Sequence, residues 1–322
     1  MQVYRTLAEV PRDFGPSALS IGNFDGVHFG HRRILRRVKE MAREHGWKAS
    51  VLTFDPHPTR VVAPDRTPPL LTSPDRRVAL MREEAIEQVL ILPFTIELAN
   101  LTPEQFVEQL LVKALDARAV LVGDNFRFGH RQAGNVTVLA ELGRKFGFQT
   151  EIVRAIAWRG RVVSSSGIRD LIRAGKVSLA ARLLQHTYGV EGEVVSGRGV
   201  GSRQTVPTLN LATRAEVIPA SGVYITRTRD TTDGREWNSV TNVGYRPTFG
   251  ESDRLTIETF LLDALTGEAP RHIRVEFLRR IREERKFETP EALRTQILKD
   301  VRTAQAWFRR AKAWTAPACT SC

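Results

Sequence analysis

Two histidines three residues apart, His28 and His31, lie inside the glycine-rich string S-I-G-N-F-D-G-V-H-F-G-H-R-R at 20–33. On the first turn of a helix, imidazoles at that spacing face one way and can hydrogen-bond a single phosphoryl group. The flanking residues point to such a helix. An apolar run at 18–21 reads as a short buried strand, and Ile34, Leu35, Val38, Met41 and Ala42 follow at helical spacing, with Arg and Lys on the opposite face. Gly22, Gly26 and Gly30 therefore sit in a strand-to-helix turn, where the chain bends tightly and approaches a ligand closely. The free N–H groups and dipole at the helix start attract phosphate. Zinc does not fit this pair, which is not H-E-x-x-H and has no cysteine nearby.

Other loops belong beside this turn, because ligands of open α/β sheets gather beyond the carboxyl ends of the strands. A strand at 51–54 is predicted to end in D-P-H-P, where Pro56 and Pro58 stiffen the loop; spacing alone leaves His57 equally a phosphate contact or a solvated loop residue. A third apolar run occupies 89–92, and a helix begins at Pro103 with Thr102 as its N-cap. The strand at 119–123 leads into G-D-N-F-R-F-G. There Asn125 can read a ring edge, and Phe126 and Phe128 can stack on a flat heterocycle or form a core aromatic pair. S-S-S-G-I-R at 164–169 opens a helix ended by Gly175. Its hydroxyls and N–H groups suit β- and γ-phosphates, with Arg169 neutralising charge.

Strand–helix alternation from Ser17 to Ile172 predicts a Rossmann-like, mostly parallel sheet covered by helices. After Gly189 the texture changes to short alternating runs at 191–196, 223–228, 237–243, 255–262 and 273–278, which predict an antiparallel barrel. The expected domains are 1–186 and 187–322. Leu293, Ile297, Leu298, Val301, Ala304, Trp307, Phe308 and Ala311 mark a C-terminal helix expected to lie across the barrel. In V-P-T-L-N-L at 206–211, Thr208 and Asn210 face the same way in extended chain. Two neutral oxygens there suit Mg²⁺, the other ligands coming from ATP and water; a strand's wet face would read the same in isolation.

The 322 residues suffice for two cores, and the net charge of +12 suits polyphosphate substrates or nucleic acid. The basic runs at 32–37, 76–77 and 279–285 are dispersed, without interleaved aromatics, and read as solvated faces plus phosphate sites. No 18-residue apolar run predicts a membrane span, and the N-terminal residues lack the apolar stretch of a signal peptide. Cys319 and Cys322 are the only cysteines; a thiol-free core fits a cytoplasmic setting, with an inert cysteine tail.

The string G-N-F-D-G-V-H-F-G-H resembles the H-x-G-H signature of the nucleotidyltransferase superfamily, in the form carried by bacterial bifunctional riboflavin kinases/FAD synthetases. T-F-D-P-H-P, G-D-N-F-R-F-G and S-S-S-G-I-R are similar to that family's later motifs, with Asn125 where many members have Asp and Ser166 in place of threonine. In the second half, S-G-V-Y-I, N-V-G-Y-R-P-T-F, I-E-T-F-L-L-D and R-E-E-R-K-F resemble the riboflavin kinase domain in order. The glycine-rich loop G-R-G-V-G-S-R-Q-T-V-P-T departs from the common G-R-x-L-G-F-P-T.

The resemblance implies two reactions: riboflavin phosphorylated to FMN by Mg-ATP, and FMN adenylylated by a second ATP with release of pyrophosphate. It implies catalytic roles for His28, His31, Ser164, Arg169 and Glu258, the last as general base. Nucleotide contacts would come from Gly22, Asn23, Phe24, Asp25, Gly30, Ser165, Ser166, Gly199, Gly201, Pro207, Thr208 and Asn210. Flavin contacts would come from Pro56, His57, Pro58, Asn125, Phe126, Phe128, Arg282 and Arg285. Transfer to another phosphorylated acceptor, or nucleic-acid binding by a retained nucleotide fold, are the alternatives; neither nucleic acid nor membrane is the expected partner.

Overall fold

The computed structural model describes residues 1–195, 208–248 and 251–315, and the chain divides into two compact units, Met1–Gly167 and Ile168–Cys322. The first unit is a six-stranded parallel sheet. Its strands are β1 (Gln2–Tyr4), β2 (Ser17–Ile21), β3 (Lys48–Asp55), β4 (Gln88–Pro93), β5 (Ala117–Gly123) and β6 (Gln149–Val153), in the order β1-β4-β3-β2-β5-β6. Every residue of β2 is buried, as expected for a strand covered on both faces. Leu19 and Ile21 join one core layer with Leu52, Phe54 and Val120. Ala18 joins the other with Leu35, Val38, Met41 and Val51. Two serines survive in this buried strand because their hydroxyls donate to carbonyls: Ser17 Oγ to Leu115 O at 2.8 Å and Ser20 Oγ to Leu121 O at 2.8 Å.

Helix α1 (Phe29–His45) follows β2, and α2 (Pro58–Val62) and α3 (Pro74–Glu83) lie between β3 and β4. After β4 come α4 (Ile96–Ala99) and α5 (Pro103–Phe106), which opens on a capping box made by Thr102 and Gln105 and widens into a π-helical stretch over Val107–Ala114. Helix α6 (Val136–Phe146) precedes β6, and a hairpin of β7 (Ala157–Trp158) and β8 (Arg161–Val162) precedes α7 (Ser165–Arg173). Of the basic runs at 32–37 and 76–77, read as solvated faces plus phosphate sites, Arg33 and Arg36 are exposed, but Arg32 and Arg77 are both buried, which corrects the solvated reading for those two. Arg32 hydrogen-bonds Glu84 and, at 3.2 Å, Glu83, while Arg36 Nε donates to Glu84 at 2.9 Å. Burial alone would raise the Glu84 carboxyl, but hydrogen bonds from Arg36 and Arg32 hold it below the usual range. Charge periodicity on a helix does not distinguish solvent from a buried counter-ion on a neighbouring element.

In the second unit, α8 (Val177–Leu184) precedes a closed barrel. Its strands are β9 (Gly189–Val195), β10 (Thr208–Thr213), β11 (Gly222–Asp230), β12 (Glu236–Thr248), β13 (Glu251–Leu261) and β14 (His272–Arg282), in the order β10-β13-β12-β11-β14-β9. The interior is partly polar. Thr226 bonds Ser239 at 2.8 Å and Thr241 at 2.7 Å, Thr228 bonds Ser239 at 2.9 Å, and Thr241 bonds Thr259 at 2.9 Å, all buried. Outside, Val223, Ile225 and Val240 are covered by Ala304, Trp307 and Phe308 of α9 (Pro290–Thr315). Only the later turns of α9 cover the barrel in this way. Leu293, Ile297 and Leu298 are exposed, correcting the expectation that the whole apolar stripe lies against it.

Candidate active sites

The turn between β2 and α1 is strained and well buried. Phe24, Gly26 and Val27 have φ of 49°, 80° and 39°, the left-handed region that suits glycine and penalises a β-branched residue by roughly 1–3 kcal/mol. Phe24 and Val27 are fully packed, Val27 N–H donates to Phe24 O at 3.0 Å, and Gly26 N–H donates to Thr72 Oγ1 at 3.0 Å. Asp25 ties the same turn to another loop: its carboxylate accepts from Leu71 N–H at 2.9 Å and from Thr72 N–H at 3.1 Å. The carboxylate of Asp25, a residue expected among the nucleotide contacts, holds the backbone of that loop.

The product of this turn is the placement of two rings. His28 caps α1, its Nδ1 accepting from His31 N–H at 3.4 Å, and the two imidazoles stack 3.7 Å apart. Phe24 meets His31 edge-on at 5.2 Å. A Cβ on Gly30 would lie 3.1 Å from His28 Cε1 and 3.2 Å from Nδ1, so any larger residue would press on the ring and shift it by a few tenths of an ångström. Burial lowers His28 to about 4 and takes His31 well below its ordinary value, with His28 adding to the effect on His31. Both rings are neutral near pH 7 in this state. Because Nδ1 of His28 accepts, its proton sits on Nε2; Nδ1 of His31 is buried without a partner.

Two further strings converge on the turn. Asn23 Nδ2 lies 2.9 Å from His57 Nε2, which brings the D-P-H-P loop at the end of β3 against the histidine turn. Ser165 Oγ donates to Asp25 O at 2.9 Å, and Ser164 Oγ caps α7 by accepting from Gly167 N–H at 3.3 Å. Ser166 stands on the same first turn, and Arg169, one turn further along α7, is buried. Asn125 is exposed at the end of β5, at the same carboxyl edge of the sheet, its Oδ1 folded over Gly123. Phe128 is a core residue rather than a free stacking face. It is buried, stacked on Phe126 at 5.4 Å and tilted against Phe106 at 5.6 Å, with Gly134 close against the ring. Half-buried Phe126 is left at the margin.

In the barrel, strand register brings together residues that the sequence separates. Asn210 on β10 pairs with Glu258 on β13, which pairs on its other side with Asn242 on β12. Directly opposed side chains of antiparallel strands lie on one face about 5 Å apart. The row Asn210–Glu258–Asn242 therefore lies on the outer face, with Thr208 opposite Phe260 two residues along. Spacing along the chain does not single out Asn242, and cross-strand register is the signal that finds it. Gly199, Gly201 and Pro207 lie outside the described residues, as do Cys319 and Cys322.

Arg282, expected to touch flavin, is committed elsewhere. Its guanidinium donates to buried Asp300 of α9, from Nε at 3.0 Å and Nη2 at 2.9 Å, and to Glu283 O at 2.9 Å. It docks α9 on the barrel. Arg285 hydrogen-bonds Gln296 and lies 5.0 Å over the Phe287 ring. These residues, with Lys286, Glu288 and Thr295, line an open hollow of about 530 Å³.

The two halves match two family models, one described as FAD synthetase over residues 11–167 and one as riboflavin kinase over residues 184–308. The bifunctional riboflavin kinase/FMN adenylyltransferase of Pseudomonas fluorescens is 34% identical over 95% of this chain and 97% of its own length. The enzyme of the same description from Escherichia coli K12 is 33% identical over 94% of this chain and 95% of its own. Among solved structures, one from Streptococcus pneumoniae described as a macrolide-efflux protein superposes with a TM-score of 0.83 at 25% identity, covering 95% of this chain and 98% of that one. No helix among the described residues is long and apolar enough to cross a membrane. With both domains matched in order and the relatives covered nearly end to end, the chain belongs to the bifunctional riboflavin kinase/FMN adenylyltransferase (FAD synthetase) family, phosphorylating riboflavin to FMN and adenylylating FMN to FAD.

Proposed function

We propose that adenylyl transfer takes place at the His28/His31 turn and riboflavin phosphorylation at the Asn210–Glu258–Asn242 row. The observation that carries the first assignment is the stacked imidazole pair at the start of α1, His28 buried and His31 half-buried. An FMN phosphate oxygen attacks the α-phosphorus of ATP, and the bond to the β-phosphate oxygen breaks to release pyrophosphate. The nucleophile is already ionised, so the site needs donors and positive potential rather than a base. His28 donates from Nε2, and the start of α1 adds its N–H groups and dipole. Phosphate charge brought beside the rings raises their pKa values, so the site becomes more cationic as it fills. Ser164, Ser165 and Ser166 at the start of α7, with Arg169 on the same helix, are assigned to the leaving pyrophosphate. Asn23 and His57 join the nucleotide turn to the flavin loop.

In the kinase unit, Glu258 takes the proton of the ribityl hydroxyl as it attacks the γ-phosphorus. Thr208 and Asn210 offer neutral oxygens on one strand face, and no group of three or more His, Cys, Asp or Glu able to hold a metal occurs among the described residues. That donor set fits a Mg²⁺ carried largely by ATP phosphates. Bound there, Mg²⁺ would neutralise phosphate charge and align the γ-phosphate. Arg285 and Phe287 beside the open hollow are assigned to the isoalloxazine, which suits a guanidinium and an aromatic face. We place the enzyme in the cytoplasm with small-molecule partners only, a reading supported by cysteines confined to 319 and 322 and by the absence of an aromatic-interleaved basic stripe.

The test is a paired assay of FMN and FAD formation. His28→Ala is expected to lower FAD formation from supplied FMN by about a hundredfold and leave riboflavin phosphorylation near parental. Glu258→Gln is expected to do the reverse, with kcat for phosphorylation down by about 10² to 10⁴ and Mg-ATP binding little changed. Equal loss of both activities in either variant overturns the two-site assignment.

A further inference from the structure

Arg77, in a basic pair read as solvated face or phosphate site, is almost fully buried, and among the described residues it hydrogen-bonds no carboxylate, the charges of Asp25 and Asp55 acting on it without a hydrogen bond. All its acceptors are neutral, and they belong to two different loops. Nη1 donates to Asn23 O at 2.8 Å in the histidine turn, to Thr53 Oγ1 at 3.2 Å and to Phe54 O at 3.3 Å at the end of β3, with Nη2 also on Phe54 O at 3.4 Å. Thr53 Oγ1 in turn donates to Asn23 O at 3.4 Å. The guanidinium thus ties the chain just before His28 to the chain just before Asp55-Pro56-His57.

The same two loops touch through their side chains. His57 Nδ1 accepts from Thr59 N–H at 3.2 Å, so the proton of the neutral ring sits on Nε2, 2.9 Å from the Asn23 amide. A ring bonded in this way calls for the amide oxygen at that contact. Arg77 holds the backbone carbonyl of the residue whose amide holds His57. A planar fork with several donors can bridge two carbonyls and a hydroxyl at once, which an ammonium cannot.

We propose that Arg77 is a positioning residue for adenylyl transfer: its guanidinium sets the gap between the histidine turn and the D-P-H-P loop and, through Asn23, the orientation of His57. The proposal rests on the assignment of those two loops to that reaction. Positioning acts on the geometry of attack more than on ground-state binding, and a displacement of about 1 Å is worth up to about a hundredfold. The expected signature is therefore in kcat.

The test uses the full chain. Arg77→Met, Arg77→Lys and His28→Ala are assayed for kcat and KM of FAD formation, and histidine-labelled protein is followed by ¹⁵N NMR. Arg77→Met is expected to lose about tenfold or more in kcat with KM for ATP within about threefold, and to move the His57 Nε2 resonance; Arg77→Lys is expected to recover part of the rate. Parental kcat in Arg77→Met overturns the proposal. So does a kcat loss with the His57 resonance unmoved, which would reduce Arg77 to packing. If Arg77→Met does not fold, Arg77→Lys at its parental unfolding temperature decides: a reduced kcat supports the proposal and a parental one sinks it. His28→Ala separates the two layers. If it is impaired while Arg77→Met is normal, only the positioning role falls; if both are normal, the site assignment falls as well.

Discussion

Gly30 is a packing partner of the His28 ring and only secondarily a turn residue. It lies on the first turn of α1, where glycine still loses more backbone freedom on folding than alanine. The structure supplies the reason it is there, since a Cβ would stand 3.1–3.2 Å from the imidazole. His28 also stacks on His31, and to admit a methyl group its ring must give by a few tenths of an ångström. Gly30→Ala is expected to raise helix stability slightly, or leave it unchanged, while lowering FAD formation by about tenfold through a displaced donor. Riboflavin phosphorylation in the same sample is the control. A variant with parental FAD formation would show that the ring relaxes freely and that its position is not what the reaction reads.

At the scale of elements, the first turns of α1 are held by opposite charge from α3 and the residue that caps it. Arg32 and Glu84 are each 7% exposed at the side chain, and Arg36 and Glu83 extend the group outward. A buried pair of this kind adds little over an apolar replacement, whereas removing one partner strands a charge and costs about 3–5 kcal/mol. Glu84→Ala is accordingly expected to destabilise the first unit by a few kcal/mol, and the double change Arg32→Met with Glu84→Ala to recover much of that. Denaturant midpoints of the two variants measure it; an equal or greater loss in the double variant would show that the pair contributes by more than mutual neutralisation. Arg282 and Asp300 repeat the pattern between barrel and α9, so a residue expected at a ligand instead secures an element.

At the scale of the whole molecule, the boundary between the two compact units falls between Gly167 and Ile168, ahead of the change in sequence texture near Gly189, and the kinase match begins at 184. The residues between are the rest of α7 and helix α8, which packs on the barrel. Val177, Ala180 and Leu184 are buried, and Ser178 Oγ donates to Leu278 O on β14 at 2.7 Å. Burying the larger two side chains contributes about 1.5–3 kcal/mol each. A fragment of 168–322 is therefore expected to make FMN from riboflavin with a higher denaturation midpoint than 187–322, and neither fragment to make FAD. Identical midpoints would mean that α8 does not belong to the barrel's fold.

Residue order and local chemistry determined a large part of this protein. A glycine-spaced turn between an apolar run and a 3.6-period face specifies strand, turn and helix from Ser17 to His45, so the placement of His28 and His31 at a helix start was legible. The switch to short alternating runs announced the barrel for the same reason, and the string matches named the reactions. What the sequence could not settle are contacts closed over long separations. Asn23 meets His57, Asp25 grips Leu71 and Thr72, and Arg77 reaches back to Asn23 only because parallel strands bring their carboxyl ends together. Alternation along β11 and β12 left open which set faces inward. Closure of the barrel put Thr226, Ser239 and Thr241 inside, where hydroxyls satisfy one another, and Val223, Ile225 and Val240 outside under α9. Whether an arginine meets water, a carboxylate or a carbonyl is decided by what other elements place around it, and for Arg32, Arg77 and Arg282 only the packed chain supplies that.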